Sequence, residues 1–234
     1  MPPKSKSVTS TVVDVSAMLA MQWVEGLTPE LRRRVLTETK MRRVKSGVFV
    51  CQKGEPVLNW IGVIDGLVKV SSVSRQGKTI SFTGIPSGGW FGEGSLLKNE
   101  RRRYDAVALR DSIVAYVPRN TFMLLLDSSV AFNRFVSNQL NERLGQFIAM
   151  VEHDRLLAPD GRVATELAAL FNPHLYPGNH STLPISQTEL AHLVGLSRQT
   201  VNVALRKLVE LQLVRTDYRG VTILDLEGLR RYEG

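Results

Sequence analysis

The stretch Leu183-Pro-Ile-Ser-Gln-Thr-Glu-Leu-Ala-His-Leu-Val-Gly-Leu-Ser-Arg-Gln-Thr-Val-Asn-Val-Ala-Leu-Arg-Lys-Leu208 reads as two capped helices joined at a glycine. Ser186 stands three residues before Glu189, the spacing of a capping box, and Leu190, Ala191 and Val194 then share one helical face. Gly195 stops that helix and Ser197 caps the next, where Val201, Ala204, Leu205 and Leu208 fall on one side. The other side carries Arg198, Gln199, Asn202 and Arg206. A short helix, a glycine turn and a second helix that starts with long hydrogen-bonding side chains form a helix-turn-helix, which offers those side chains to base edges in the DNA major groove. Arg198 can donate two bonds to guanine, Gln199 or Asn202 can pair with adenine, and Thr200 with the first helical amides can meet phosphates.

Downstream, Leu213 to Thr216 and Val221 to Leu224 flank Asp217-Tyr-Arg-Gly220, a hairpin wing whose Arg215 and Arg219 can reach the DNA backbone. The set expected on DNA is Ser186, Gln187, Ser197, Arg198, Gln199, Thr200, Asn202, Arg206 and Arg219. Upstream, Pro173, Pro177 and Gly178 mark a loop from Asn172 to Thr182, and Pro159-Asp-Gly161 marks a hinge. From Asn120 to Leu157 there is no proline and only Gly145, and Leu140, Leu144, Phe147 and Val151 recur in steps of four, three and four. Such a helix packs either on its own domain or on a second copy of the chain; its large residues and its place between two domains favour the dimer seam. From Met41 to Pro118, short runs rich in Val, Ile and Phe alternate with glycines at 47, 54, 66 and 77, as an antiparallel sandwich, barrel or roll requires. Val12 to Glu25 and Pro29 to Thr37 read as helices.

The chain has 234 residues, 43% of them hydrophobic and 22% charged, which suits two modest folded domains and excludes wholesale disorder. Its net charge of +8 invites a nucleic-acid reading, yet residues 160–234 hold 8 basic and 8 acidic side chains, and the whole surplus lies before them. The DNA reading therefore rests on residue placement. No apolar run approaches the roughly 18 residues of a membrane span, and the N-terminal apolar stretch is too short for a secretory core, so a cytoplasmic location without membrane attachment is expected. The single cysteine, Cys51, excludes an internal disulfide, an iron-sulfur cluster or a cysteine-rich zinc site, and it is expected to pack within its strand. His174, His180 and His192 lack metal-ligand spacing, so no metal is expected; no nucleophile-base pair marks an enzyme.

Two further motifs, Phe91-Gly-Glu-Gly-Ser-Leu96 and Arg103-Tyr-Asp-Ala-Val-Ala108, precede the long helix. Together with Val194-Gly-Leu-Ser-Arg-Gln-Thr-Val201, they make the chain resemble the Crp/Fnr superfamily of bacterial transcription regulators over nearly its whole length. The resemblance implies an α+β chain: an N-terminal antiparallel β-roll of the jelly-roll, cyclic-nucleotide-binding kind, a long dimerisation helix and a C-terminal winged helix-turn-helix. The expected division is 1–40 helical segment, 41–119 sensor, 120–158 helix and 159–234 reader.

By the same resemblance Gly92, Glu93, Gly94, Ser95 and Arg103 form a phosphate-binding cassette: helix-start amides and the Arg103 fork would hold a cyclic phosphate, and Glu93 a ribose hydroxyl. Tyr104 replaces the small hydroxyl residue usual after the cassette arginine, and Phe147 and Ile148 replace the small hydroxyl residues that meet the purine. These departures weaken the match to cyclic AMP, so no cofactor is certain, and cyclic AMP or another small effector is the candidate ligand. Arg101-Arg-Arg103 is expected to be a solvated loop beside the cassette. The resemblance further implies a homodimer on a palindromic operator in double-stranded DNA, with RNA polymerase as a partner. The alternatives are a cyclic-nucleotide module acting through a protein partner and a regulator with a non-nucleotide effector.

Overall fold

The structure, a computed structural model, describes residues 15–74, 77, 79–177, 182–218 and 220–234. It opens with a 3-10 turn, Val15–Ala20, followed by α1, Gln22–Glu25, and α2, Pro29–Glu38. The helix expected over Val12 to Glu25 is thus interrupted, because Met21 takes an extended conformation at the start of α1; residues 12–14 lie outside the described residues. Thr28 caps α2 by accepting from the Leu31 amide, and Pro29 occupies the first helical position, where no amide donor is missed.

The strands are β1 Lys40–Val44, β2 Phe49–Cys51, β3 Asn59–Asp65, β4 Leu67–Val73, β5 Thr79–Pro86 and β6 Trp90–Phe91; after α3, Glu93–Leu97, come β7 Asp105–Ala108 and β8 Ser112–Pro118. Among the described residues they form two four-stranded sheets, ordered β1-β8-β3-β6 and β2-β7-β4-β5, with antiparallel neighbours throughout. This is the expected antiparallel roll. Apolar residues of both sheets, among them Ile61, Val63, Val68, Ala106 and Val114, fill its interior. Cys51 is buried there, and desolvation pushes its thiol up to about 11, so it is a packed thiol at neutral pH. A second core gathers Trp23, Trp60, Trp90, Phe122 and Phe132, with Trp60 and Trp90 ring centroids 4.2 Å apart. Burying an aromatic of that size contributes about 1.5–3 kcal/mol, enough to tie the N-terminal helices to the roll.

The single helix expected after β8 is two: α4 Arg119–Ser128 and α5 Val130–Leu156. Ser129 separates them in an extended conformation, and its hydroxyl accepts from the Phe132 amide, so it stops one helix and caps the next. Pro159-Asp-Gly161, expected as a hinge, is helical in the structure. It is the first turn of α6, Pro159–Leu170, with proline at the first position and an acidic residue in the first turn, both features of a helix start. There follow β9 Thr182–Leu183, α7 Gln187–Val194, α8 Arg198–Glu210, β10 Val214–Asp217, β11 Gly220–Ile223 and α9 Leu226–Arg231. The wing hairpin pairs Val214 with Ile223 and Asp217 with Gly220, while β9 adds a third strand beside β11.

Candidate functional site

In the reader both predicted caps form. Ser186 Oγ accepts from the Glu189 amide at 3.2 Å while Glu189 Oε2 accepts from the Ser186 amide at 2.6 Å, and Ser197 Oγ accepts from the Thr200 amide at 3.0 Å. Gly195 closes α7 in the left-handed conformation. Val201, Ala204, Leu205 and Leu208 are buried against the rest of the module, which turns Arg198, Gln199, Asn202 and Arg206 to solvent. Val203, half exposed, borders that polar face. Ser186 and Ser197 are exposed, but their hydroxyls are engaged in the caps; Gln187 and Thr200 are half-buried. Arg215 is exposed on β10, and Arg219 lies outside the described residues. Tyr218 at the wing tip is 95% exposed, a large side chain beside the reading helix that sequence reasoning passed over.

The cassette departs from expectation by one residue. Arg103 points outward and makes a forked surface pair with Glu100, Nε to Oε1 at 2.8 Å and Nη2 to Oε2 at 2.7 Å, which raises its own pKa and lowers that of Glu100. Arg102 is the inward guanidinium, 4% exposed, so the arginine run is not wholly solvated as expected. Side chains alternate along an extended chain; Ala106 and Ala108 of β7 face the core, and counting back in twos places Arg102, not Arg103, inside. Arg102 Nη2 donates to the Asn59 carbonyl at 2.6 Å. Its Nη1 is buried with no partner among the described residues, and a Cβ on Gly92 would lie 2.2 Å from it. Gly92, at φ 94°, is therefore required by both its backbone and its neighbour.

Glu93 is 4% exposed at the first position of α3, with Gly94 and the buried Ser95 behind it. Its Oε1 accepts from Arg143 Nε at 3.2 Å, and its Oε2 is buried without a partner among the described residues. Arg143, on α5, also donates to the Trp90 carbonyl; it is a cassette contact that sequence reasoning missed. Tyr104 lies among these charges, its hydroxyl pKa raised by burial and then by Glu93. Phe147 packs edge-on to Phe82 of β5, with centroids 6.5 Å apart, and Ile148 is exposed. With Leu140, Leu144 and Val151 they form an apolar stripe on α5 whose members are 37–61% exposed.

Reader and roll touch directly. Arg110 Nε meets Glu189 Oε1 at 2.9 Å, Ser81 Oγ donates to the His192 carbonyl at 2.6 Å, and Leu67 of β4 belongs to the reader's own core cluster. Glu166 of α6 has its Oε1 buried without a partner among the described residues, and desolvation, opposed in part by the Gly84 backbone, pushes its pKa up to about 7. Nearby, a cavity of about 980 Å³ is lined by Phe82, Thr83, Phe147, Glu166, Leu193 and Val194, among others.

A buried cassette in an antiparallel roll, a long helix with a bare apolar stripe and a winged helix-turn-helix define a sensor joined to a DNA reader. Comparison with known proteins agrees: residues 41–129 match the cyclic nucleotide-binding domain model, and residues 161–232 match the Crp-like helix-turn-helix model. The chain belongs to the Crp/Fnr superfamily of transcription regulators. It is 28% identical over 170 residues to the transcriptional regulator SdrP of Thermus thermophilus, covering 72% of this chain and 80% of that one. It is 29% identical over 192 residues to the CRP-like cAMP-activated global transcriptional regulator of Mycobacterium tuberculosis, covering 79% of this chain and 84% of that one. The solved structure of FixK2 from Bradyrhizobium japonicum shares the fold at a TM-score of 0.64 and 20% identity, covering 84% of this chain and 98% of that one. No helix among the described residues is long and apolar enough to cross a membrane.

Proposed function

We propose that this chain acts as a cytoplasmic homodimer, without enzymatic activity, that reads a palindromic operator through α8 and changes its affinity for it when a small effector enters the roll. In this reading the sensor spans 41–119, the dimerisation segment 120–158 and the reader 159–234, and RNA polymerase is a further partner. The observation that carries it is the pairing of two exposed faces: the polar face Arg198, Gln199, Asn202 and Arg206 on α8, and the apolar stripe from Leu140 to Val151 on α5. A two-fold axis along that stripe would set two recognition helices about 34 Å apart, one turn of DNA. Wild type should sediment as a dimer and bind a selected operator with strong salt dependence, and Leu144→Glu should lose both properties; a monomeric wild type that binds DNA as tightly would refute the arrangement.

For the effector, a cyclic nucleotide fits the cassette as built. Glu93 Oε2, unpartnered among the described residues, is an acceptor for a ribose hydroxyl, and Arg102 Nη1, likewise unpartnered among them, is a donor for a phosphate oxygen. The cassette guanidinium we propose is therefore Arg102 in place of Arg103. Titration of cyclic AMP into the full chain should give stoichiometric heat that is lost in Arg102→Ala and kept in Arg103→Ala. Heat from neither wild type nor Arg103→Ala would favour a non-nucleotide effector, for which the cavity beside Phe82 and Phe147 offers an aromatic wall.

A further inference from the structure

The loop after α6 belongs to the reader by chain order, yet Leu175 and Tyr176 are 1% and 0% exposed and sit in the core of the roll. The loop is shaped for that insertion. Asn172 Oδ1 accepts from the amides of His174 and Leu175 at 2.9 and 3.0 Å, and the Asn172 carbonyl accepts from the Tyr176 amide at 2.9 Å. Two residues of α5 fasten it: Gln139 Nε2 donates to the His174 carbonyl at 2.6 Å, and Glu142 Oε2 accepts from Asn172 Nδ2 at 2.9 Å. Inside the roll, the Tyr176 hydroxyl donates to the Gly84 carbonyl at 3.1 Å. Its ring lies so close to Gly89 that a Cβ there would stand 2.9 Å away, so only glycine admits it.

The link to the cassette is α5: Gln139 and Glu142 hold the loop, and Arg143, the residue after Glu142, pairs with Glu93 of the cassette at 3.2 Å while its charge acts on the buried Tyr176 hydroxyl. Cassette and reader are therefore linked through one buried guanidinium whose donors go to Glu93 and the Trp90 carbonyl and whose charge also acts on Tyr176. We propose that the interior of the roll is a docking site for the reader's own Leu175–Tyr176 segment, and that a ligand in the cassette competes with this docking for Arg143. The proposal rests on the reading that the cassette takes a small effector. A ligand that engages Glu93 with a hydroxyl, or draws Arg143 with an anionic oxygen, weakens the hold on Tyr176 and frees the reader. Linkage makes the effect reciprocal, so loosening Tyr176 must tighten the ligand by the same factor.

The test uses the full chain and cyclic AMP as the probe. Tyr176→Phe keeps the ring and removes only the hydroxyl, and Tyr176→Ala removes the docked group; circular dichroism confirms that each is folded. By calorimetry Tyr176→Phe should bind cyclic AMP about 2- to 10-fold more tightly than wild type, the range of one neutral hydrogen bond. Saturating cyclic AMP should raise amide hydrogen exchange in residues 172–177 of wild type at least about tenfold. Heat of binding with unchanged exchange and an unchanged Kd in both variants overturns the docking proposal and leaves the cassette reading intact. No heat in any of the three proteins overturns the nucleotide reading instead. The docking is then decided by operator affinity without ligand: a change of about fivefold or more in Tyr176→Phe supports it, and equality with wild type overturns it.

Discussion

The two polar sites of this chain obey opposite conditions. On α8, Arg198, Gln199, Asn202 and Arg206 stand in water, where an unused donor or acceptor costs nothing because solvent satisfies it. In the cassette, Glu93 and Arg102 are each 4% exposed and must find partners inside the protein. They find some: Arg143 for one, the Asn59 carbonyl for the other. Among the described residues each keeps one atom unpartnered, at a cost of about 1–3 kcal/mol. An exposed polar site thus depends only on where its side chains are placed, whereas a buried one depends on which neighbours supply partners.

The largest expected effect tests the packing beneath the sensor. Trp60→Ala should lower the free energy of urea unfolding by about 3–5 kcal/mol, whereas Arg206→Ala on the reading face should leave it within about 0.5 kcal/mol. Comparable losses in the two variants would erase the distinction between the regions. Glu166, on α6 against the roll, contributes a pH dependence. Its folded pKa of about 7 lies above the ordinary value of 4.5, so the folded chain holds a proton that the unfolded chain releases; stability falls as pH rises from about 4.5 to 7 and is then level. Glu166→Gln should flatten that slope in thermal melts taken across the window, and an unchanged slope would assign it to another group. A sharper comparison sets neighbours against each other: Arg102→Ala should destabilise by about 1–3 kcal/mol through its lost buried bond, and Arg103→Ala by less than about 0.5 kcal/mol. At the reader, Arg198→Ala should cost about 1–3 kcal/mol of discrimination at one base pair in binding assays on operator variants, with little change in melting temperature. Ser197→Ala should remove about 1 kcal/mol of stability through the lost cap.

The reader was nearly all legible in the sequence because caps, turn and apolar face are local signals within one helical turn. Ser186, Glu189, Gly195 and Ser197 each did in the structure what their spacing foretold. The roll was legible as a class, from β-rich runs and glycines, but its inward residues depend on strand parity. The arginine run offers three candidates, and only the alternation set by Ala106 and Ala108 selects the middle one. Arg143 and Tyr176 were illegible for a different reason: their partners lie 50 and 92 residues away, and no local pattern records such a contact. The helix boundaries erred where one residue serves two roles, as Ser129 does in ending α4 and capping α5.

The carboxylate of Glu189 divides its labour between its two oxygens. One closes the start of α7 on the Ser186 amide, and the other meets Arg110 of the roll. An ionised carboxylate has acceptor sites enough for both, so neither bond is made at the expense of the other. Of the two bonds of this carboxylate, loss of the outer one leaves the cap closed. Salt therefore weakens the outer pair without opening the cap, while the apolar and neutral contacts of Leu67, Tyr176 and Ser81 between the same two parts are left unscreened.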